Sequence, residues 1–209
     1  MTFDSRTEAG QRLGRYLADQ HVQADLVLGL PRGGVVVAAE VARILKCPLD
    51  VLVVRKIGHP WHREFAVGAL AEDGTLLLDD DVIARTNAPT DAVREVIAEE
   101  TGRLTEYRAK FLRPNRSGFK DRIVLIVDDG LATGATTEVA VCSAKNRGAA
   151  RVIVAAPVAS DNAVERIGRV ADQMIALIVD PEFDAVGRYY RNFPQTTDEE
   201  VMKALGSPG

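Results

Sequence analysis

One run of residues constrains this chain more than any other: Ile123-Val124-Leu125-Ile126-Val127-Asp128-Asp129-Gly130-Leu131-Ala132-Thr133-Gly134-Ala135-Thr136-Thr137. The apolar stretch 123–127 reads as a strand buried on both faces, and parallel sheets covered by helices supply that environment. The pattern at 136–147 reads as a helix, with Gly148 as its C-cap. Between them lie two adjacent carboxylates and then a turn of small and hydroxyl-bearing residues, a poor set for a packed core. A strand, a turn of this composition and a helix, in that order, make a βα unit whose junction is built to bind something.

Residue types at the junction say what. Thr133, Gly134 and Thr136 fall at the helix N-terminus, where free N–H groups and the positive end of the helix dipole meet an anion. Gly134 lets the backbone approach closely, and the threonine hydroxyls donate further hydrogen bonds, so a phosphate monoester fits. Asp128 and Asp129 would repel that phosphate. They suit hydroxyl donors or a cation just beyond it, and ribose 5-phosphate has this layout. An acidic first helical turn with threonine caps is the plainer alternative, but it leaves the paired acids and Gly134 unexplained. A Walker A loop is excluded, because three residues separate Gly130 from Gly134 and no lysine follows. A G-x-G-x-x-G fingerprint is absent as well.

The rest of the chain repeats the alternation. Ser5-x-x-Glu8 is a capping box, and Ala9, Leu13, Tyr16 and Leu17 form an apolar stripe, so 5–20 is expected to be an amphipathic helix. Strands are expected at 25–30, 49–54, 151–156 and 174–179, and helices at 35–46, 90–112 and 162–170. Segments 65–71 and 75–78 flank Glu72-Asp73-Gly74 as a hairpin, while 55–64 reads as polar and irregular. The expected fold is an α/β doubly wound, mostly parallel sheet flanked by helices. Ligands of such a sheet bind beyond the carboxyl ends of the strands, where the 128–134 turn and a second turn, Pro31-Arg32-Gly33-Gly34, both fall.

Composition narrows the class. With 209 residues and a net charge of −4, the chain is expected to form a single domain, 1–209, that does not bind nucleic acid. No apolar run approaches the ~18 residues of a membrane span, and the first ten residues do not resemble a signal peptide. Cys47 and Cys142 show no metal-type spacing and are read as buried free thiols of a cytoplasmic protein.

The opening run resembles the 5-phosphoribosyl 1-pyrophosphate (PRPP) signature of type I phosphoribosyltransferases: an apolar strand, two acids and a loop of the T-G-G-T kind. Ala135 stands where a second glycine is common, which costs only if that position needs positive φ. The resemblance implies a core over about 21–180 and a small hood from 1–20 and 181–209. It implies that Ala132, Thr133, Gly134, Ala135 and Thr136 hold the 5-phosphate of PRPP. Taken alone, Pro31–Gly34 is either an ordinary βα turn or an anion site. Beside the signature it resembles the family's pyrophosphate loop, in which the residue before a glycine adopts a strained or cis peptide, with Arg32, Gly33 and Gly34 in contact. Asp128, Asp129, Arg55 and Lys56 are then the catalytic set. Mg2+ is the implied cofactor, held mainly by PRPP with the two aspartates nearby and no direct protein cage.

The same resemblance places a flexible loop over 57–64. Trp61 is either its cover or a core residue, and His59 and His62 are expected to be exposed or to contact phosphate. The tail 180–190 resembles the hood of purine enzymes, with Phe183 stacking on the base and the Val186 backbone meeting its edge; packing of these aromatics on the core is the equal alternative. Ala132 replaces the aspartate of the 6-oxopurine branch, and no lysine follows Arg55-Lys56 as in adenine enzymes, so the base stays open. The implied activity is transfer of 5-phosphoribose from PRPP to a nitrogenous base, a nucleobase, with release of pyrophosphate, in a protein expected to be a homodimer. A regulator that senses PRPP or a nucleotide without turnover is the rival. A nucleoside hydrolase ranks well below the transferase, since it needs no second anion site.

Overall fold

A computed structural model describes residues 2–111 and 118–206. Its main sheet is five-stranded and wholly parallel. The strands, in chain order, are β1 (Leu26–Gly29), β2 (Leu49–Val51), β6 (Ile123–Val127), β7 (Arg151–Ser160) and β8 (Gln173–Asp180), and their spatial order is β2-β1-β6-β7-β8. A smaller antiparallel sheet runs β3 (Val54–His59), β4 (His62–Ala71), β5 (Leu76–Leu78).

Strict alternation along the central strands builds both layers. Val27, Leu125, Val127, Ile153 and Ala155 pack on one side against Leu13 and Leu17 of α1 (Arg6–Asp19) and against Val37, Ala38 and Val41 of α2 (Gly33–Leu45). Leu28, Val124, Ile126, Val152 and Val154 pack on the other against Ala140, Val141 and Ala144 of α5 (Ala135–Asn146) and Ala163 and Ile167 of α6 (Asp161–Gly168). Helices on both faces of a parallel sheet make this the doubly wound architecture that the strand patterns predict. The third core joins Val51, Val53, Ile57, Val67 and Leu70 to α4 (Thr90–Phe111) and α7 (Asp198–Gly206). A short α3 (Asp80–Arg85) links β5 to α4. Leu112, the expected last residue of the α4 helix, and the hood positions 1 and 207–209 lie outside the described residues.

Two expectations change. Segment 55–64 is not irregular: it supplies most of β3 and the start of β4, paired from Val54↔Ala71 to His59↔His62, with irregular register at Ile57–His59. Nor does the strand expected at 49–54 run on in one sheet. At Leu52–Val53 the chain leaves the parallel sheet: the Leu52 N–H still reaches Gly29 O, but the Val53 N–H donates to the Glu72 carboxylate.

The ends meet. Phe3 bridges Tyr190, and Phe3, Ala9 and Tyr190 form a small separate core. The first helix itself, α1, belongs to the main layer against α2.

Candidate functional site

The sheet reverses direction between β1 and β6. From β1 the chain winds one way to β2, and from β6 the other way to β7 and β8, which makes β1/β6 the topological switch point where open α/β sheets bind ligands. The two turns singled out in the sequence, 31–34 after β1 and 128–134 after β6, flank this crevice. The Leu30 N–H joins them to each other by donating to Val127 O at 3.1 Å.

Contact continues into the side chains. The Pro31–Arg32 peptide is cis, and α2 starts directly at Gly33. A Cβ on Gly34 would lie 2.8 Å from Asp128 Oδ1 and 2.9 Å from Val127 O; one on Gly33 would overlap the Asp129 carboxylate. Both positions are therefore glycine because the acid pair occupies the space a side chain would need.

The acid pair is held close. The Asp128 N–H extends the sheet toward Ala155 O at 3.4 Å, and the Asp129 N–H donates to Asp128 Oδ1 at 2.8 Å. Loss of water around Asp128, and then the neighbouring Asp129 charge, push the Asp128 carboxyl well above the usual carboxylate range. The Asp129 carboxylate accepts from Arg6 Nε at 2.6 Å, and its carbonyl accepts from the Tyr190 hydroxyl at 2.5 Å.

Beyond the acids, the turn is braced from β7. Leu131 bridges Ala159, and the Ser160 hydroxyl donates to Ala132 O at 2.5 Å while accepting the Ala163 N–H at the start of α6. Gly134 is the residue with left-handed backbone, φ 72°, and it caps α5. Ala135 is already helical, so alanine is tolerated there. Ala132 and Thr133 are exposed and Thr136 half-buried. The first N–H groups of α5 have no acceptors within the helix; that of Ala135 donates to Thr133 Oγ1 at 3.4 Å.

The expected cations are not equally placed. Arg32 lies beside the acid pair's turn and faces Asp198 of α7 at 3.7 Å, and Asp198 also binds Lys110 at 2.9 Å. Arg55 pairs with the buried Glu100 at 2.8 Å and covers the Tyr107 ring, while Lys56 reaches Glu64 at 3.4 Å. Both line a cavity of about 400 Å³ between the β3–β4 hairpin and α4, with Arg63, Glu99, Glu100 and Arg103.

The region expected to be a mobile loop is the tip of that hairpin. His59 is buried, 2% exposed, with Nδ1 accepting the Trp61 N–H, so the expectation of an exposed His59 does not stand. Trp61 is 62% exposed and therefore no core residue. In the tail, Phe183 stacks on Tyr189 at 5.3 Å, and Val186 lies so close over Gly130 that a Cβ there would meet its methyls at 2.6 Å. Of the two base candidates, Val186 is the one brought against the acid turn. Cys47 and Cys142 are half-buried rather than buried, and burial pushes both thiols up.

Arg6, Ser160, Tyr190 and Asp198 were not among the residues expected. Each reaches the site across 28 or more positions of sequence, as in the Arg6–Asp129 pair, 123 residues apart, and no local pattern announces such contacts. Among the described residues, no group of three or more His, Cys, Asp or Glu side chains could hold a metal ion, and no helix is long and apolar enough to cross a membrane. The two hard carboxylates suit a Mg2+ that arrives with its other oxygen ligands already on a phosphorylated substrate.

A family model described as a phosphoribosyl transferase domain matches residues 6–186. Two curated Mycobacterium tuberculosis proteins, provisionally named phosphoribosyl transferases, are 45% identical over 204 residues, or 97% of this chain. The chain spans 46% of the length of those relatives. The crystal structure of the TT1426 protein from Thermus thermophilus is 43% identical, covers 98% of both chains and superposes with a TM-score of 0.79. A Neisseria gonorrhoeae protein crystallised with bound ppGpp shares the fold at 14% identity and a TM-score of 0.55, covering 98% of this chain and 93% of its own.

Proposed function

Because the chain belongs to the type I phosphoribosyl transferase family, we propose that it transfers 5-phosphoribose from PRPP to a nitrogenous base, a nucleobase, and releases pyrophosphate. The observation that carries this reading is the direct packing of Gly33 and Gly34 on Asp129 and Asp128. It puts the 31–34 turn against the acid pair that leads into α5, which supports a ligand with an anion at each end and hydroxyls between, as in PRPP.

In this reading the 5-phosphate lies at the N-terminus of α5, bound by the backbone of 133–136 and the threonine hydroxyls. Asp128 and Asp129 accept hydrogen bonds from the ribose hydroxyls, and their charge offsets the positive charge that develops on the ring as the bond to pyrophosphate lengthens. The raised Asp128 carboxyl is matched to that role. With the site empty, the pair resists carrying two charges, and the bound, positively charging ribose restores the second. Arg32 and the N–H groups of the 31–34 turn receive the leaving pyrophosphate. Arg55 and Lys56 reach it only after exchanging Glu100 and Glu64 for phosphate oxygens. Mg2+, bound mainly by PRPP and flanked by the aspartates, would supply further charge to the leaving group. Val186, over Gly130, borders the space left for the base, and Phe183 would have to part from Tyr189 to stack on it. No covalent nucleophile is required.

The test incubates the protein with PRPP, Mg2+ and a panel of purine and pyrimidine bases, and follows pyrophosphate release and nucleotide formation. Base-dependent release with a matching nucleotide supports the transferase. Tight PRPP binding with no release for any base would instead mark a sensor of PRPP, and absence of PRPP binding would overturn both.

A further inference from the structure

Arg6 is the first residue of α1, whose N-cap Ser5 accepts the Glu8 N–H and whose Leu13 and Leu17 are buried in the main core. Its guanidinium is fixed on three sides. Nε donates to Asp129 Oδ2 at 2.6 Å, Nη1 donates to Pro194 O at 2.7 Å, and Cζ lies over the Phe193 ring, 3.7 Å from its centroid. The side chain is only 12% exposed and its partner 16%. It also stands 2.6 Å from where a Cβ of Gly33 would be. This charge is held against Asp129 Oδ2, beside the Asp128–Asp129 pair.

We propose that Arg6 is a positioning residue of the diol site: it fixes the Asp129 carboxylate with Oδ1 left for a ribose hydroxyl, and supplies the acid pair with a built-in positive charge in place of part of the magnesium requirement. The proposal rests on the PRPP reading of the site. A cation–carboxylate hydrogen bond of this kind constrains geometry and is among the stronger ones in proteins. Its planar fork and the ring beneath it distinguish it from anything lysine could supply.

The experiment is calorimetric titration of the full chain with ribose 5-phosphate, which carries the diol and the 5-phosphate but no pyrophosphate, at several Mg2+ concentrations. Wild type is expected to bind with affinity nearly independent of Mg2+. Arg6→Gln is expected to bind about tenfold more weakly without metal and to recover much of that loss as Mg2+ is raised. Arg6→Lys, which keeps the charge but not the fork, should fall between them in magnesium dependence. Weaker binding of Arg6→Gln with an unchanged magnesium dependence would mean that Arg6 only ties the chain ends together, and would overturn the proposal. So would unchanged binding. If glutamine at this position prevents folding, Arg6→Met, which also removes the charge, decides alone: a steeper dependence than wild type supports the proposal and an equal one overturns it. Failure of wild type to bind ribose 5-phosphate or PRPP under any condition would instead remove the function proposed above.

Discussion

The two strand-to-helix turns at the switch point hold equivalent places in the fold and differ in what they are bonded to. The turn at 130–134 is braced from behind, by Ser160 and the end of β7, and presents exposed residues and a capped helix start toward solvent. The turn at 31–34 is engaged from the front: its glycines press on the acid pair and its arginine faces Asp198. On the proposed reading, the phosphate end takes up its anion without breaking an ion pair. The other must exchange a partner it already has, so occupancy of the phosphate end is expected to precede, and not require, rearrangement at the pyrophosphate end.

The hardest way to break this contrast is to push the two turns apart. Gly33→Ala forces the Asp129 carboxylate off its position, and PRPP affinity should drop on the order of 100-fold in calorimetry, with ribose 5-phosphate binding weakened too. Normal binding by this variant would mean that the contact has no functional weight. Next in size is Gly134→Ala. Its left-handed backbone (φ 72°) and a contact of 3.3 Å to Ile167 should cost about 1–2 kcal/mol of stability and roughly tenfold in phosphate affinity. Pyrophosphate binding at the other turn should be untouched; a parallel loss there would erase the distinction between the turns. Asp198→Asn should act the opposite way, since it frees Arg32. Pyrophosphate should bind about threefold more tightly, and weaker binding would show that Asp198 holds Arg32 in its useful position.

The smallest effect concerns stability. The folded Asp128 carboxyl is raised above its unfolded value of 3.8, so across the interval above that value the folded state holds a proton the unfolded state has lost. Stability therefore falls as pH rises through this interval. Asp128→Asn removes the penalty and should raise the melting temperature at neutral pH, a difference that closes as pH drops toward about 4, while PRPP binding is expected to be lost. A variant less stable than wild type at neutral pH would contradict the assigned environment.

The same contrast marks what could be read from the sequence. The β6–α5 unit is a local object: five apolar residues, two acids and a glycine turn lie in one continuous run, and Gly134 does carry the left-handed backbone its position demands. The doubly wound sheet was legible for the same reason, strand by strand. The β3–β4 hairpin was not. Arg55, Lys56, His62, Arg63 and Glu64 give it the composition of a loop, and irregular pairing at Gly58 breaks the alternation. Gly58 is there because a side chain would strike the Arg63 carbonyl, a fact visible only once the strands are paired. Apolar 51–54 likewise concealed a change of sheet that is decided by Glu72, 19 positions away from Val53. Arg6 and Asp198 belong to the same class: their meaning lies in partners the sequence does not place beside them.

Finally, the acid pair continues β6, the middle strand of five, with β1 on one side and β7 on the other. Strand centres of this kind are the last amides to exchange with solvent and open only with the whole molecule. Asp128 and Asp129 follow directly on that strand and should be among the last groups to open, whereas Arg6, Tyr190 and Asp198 approach them from the two ends of the chain. On warming, diol recognition should vanish together with global melting, while the contacts from the two ends loosen earlier.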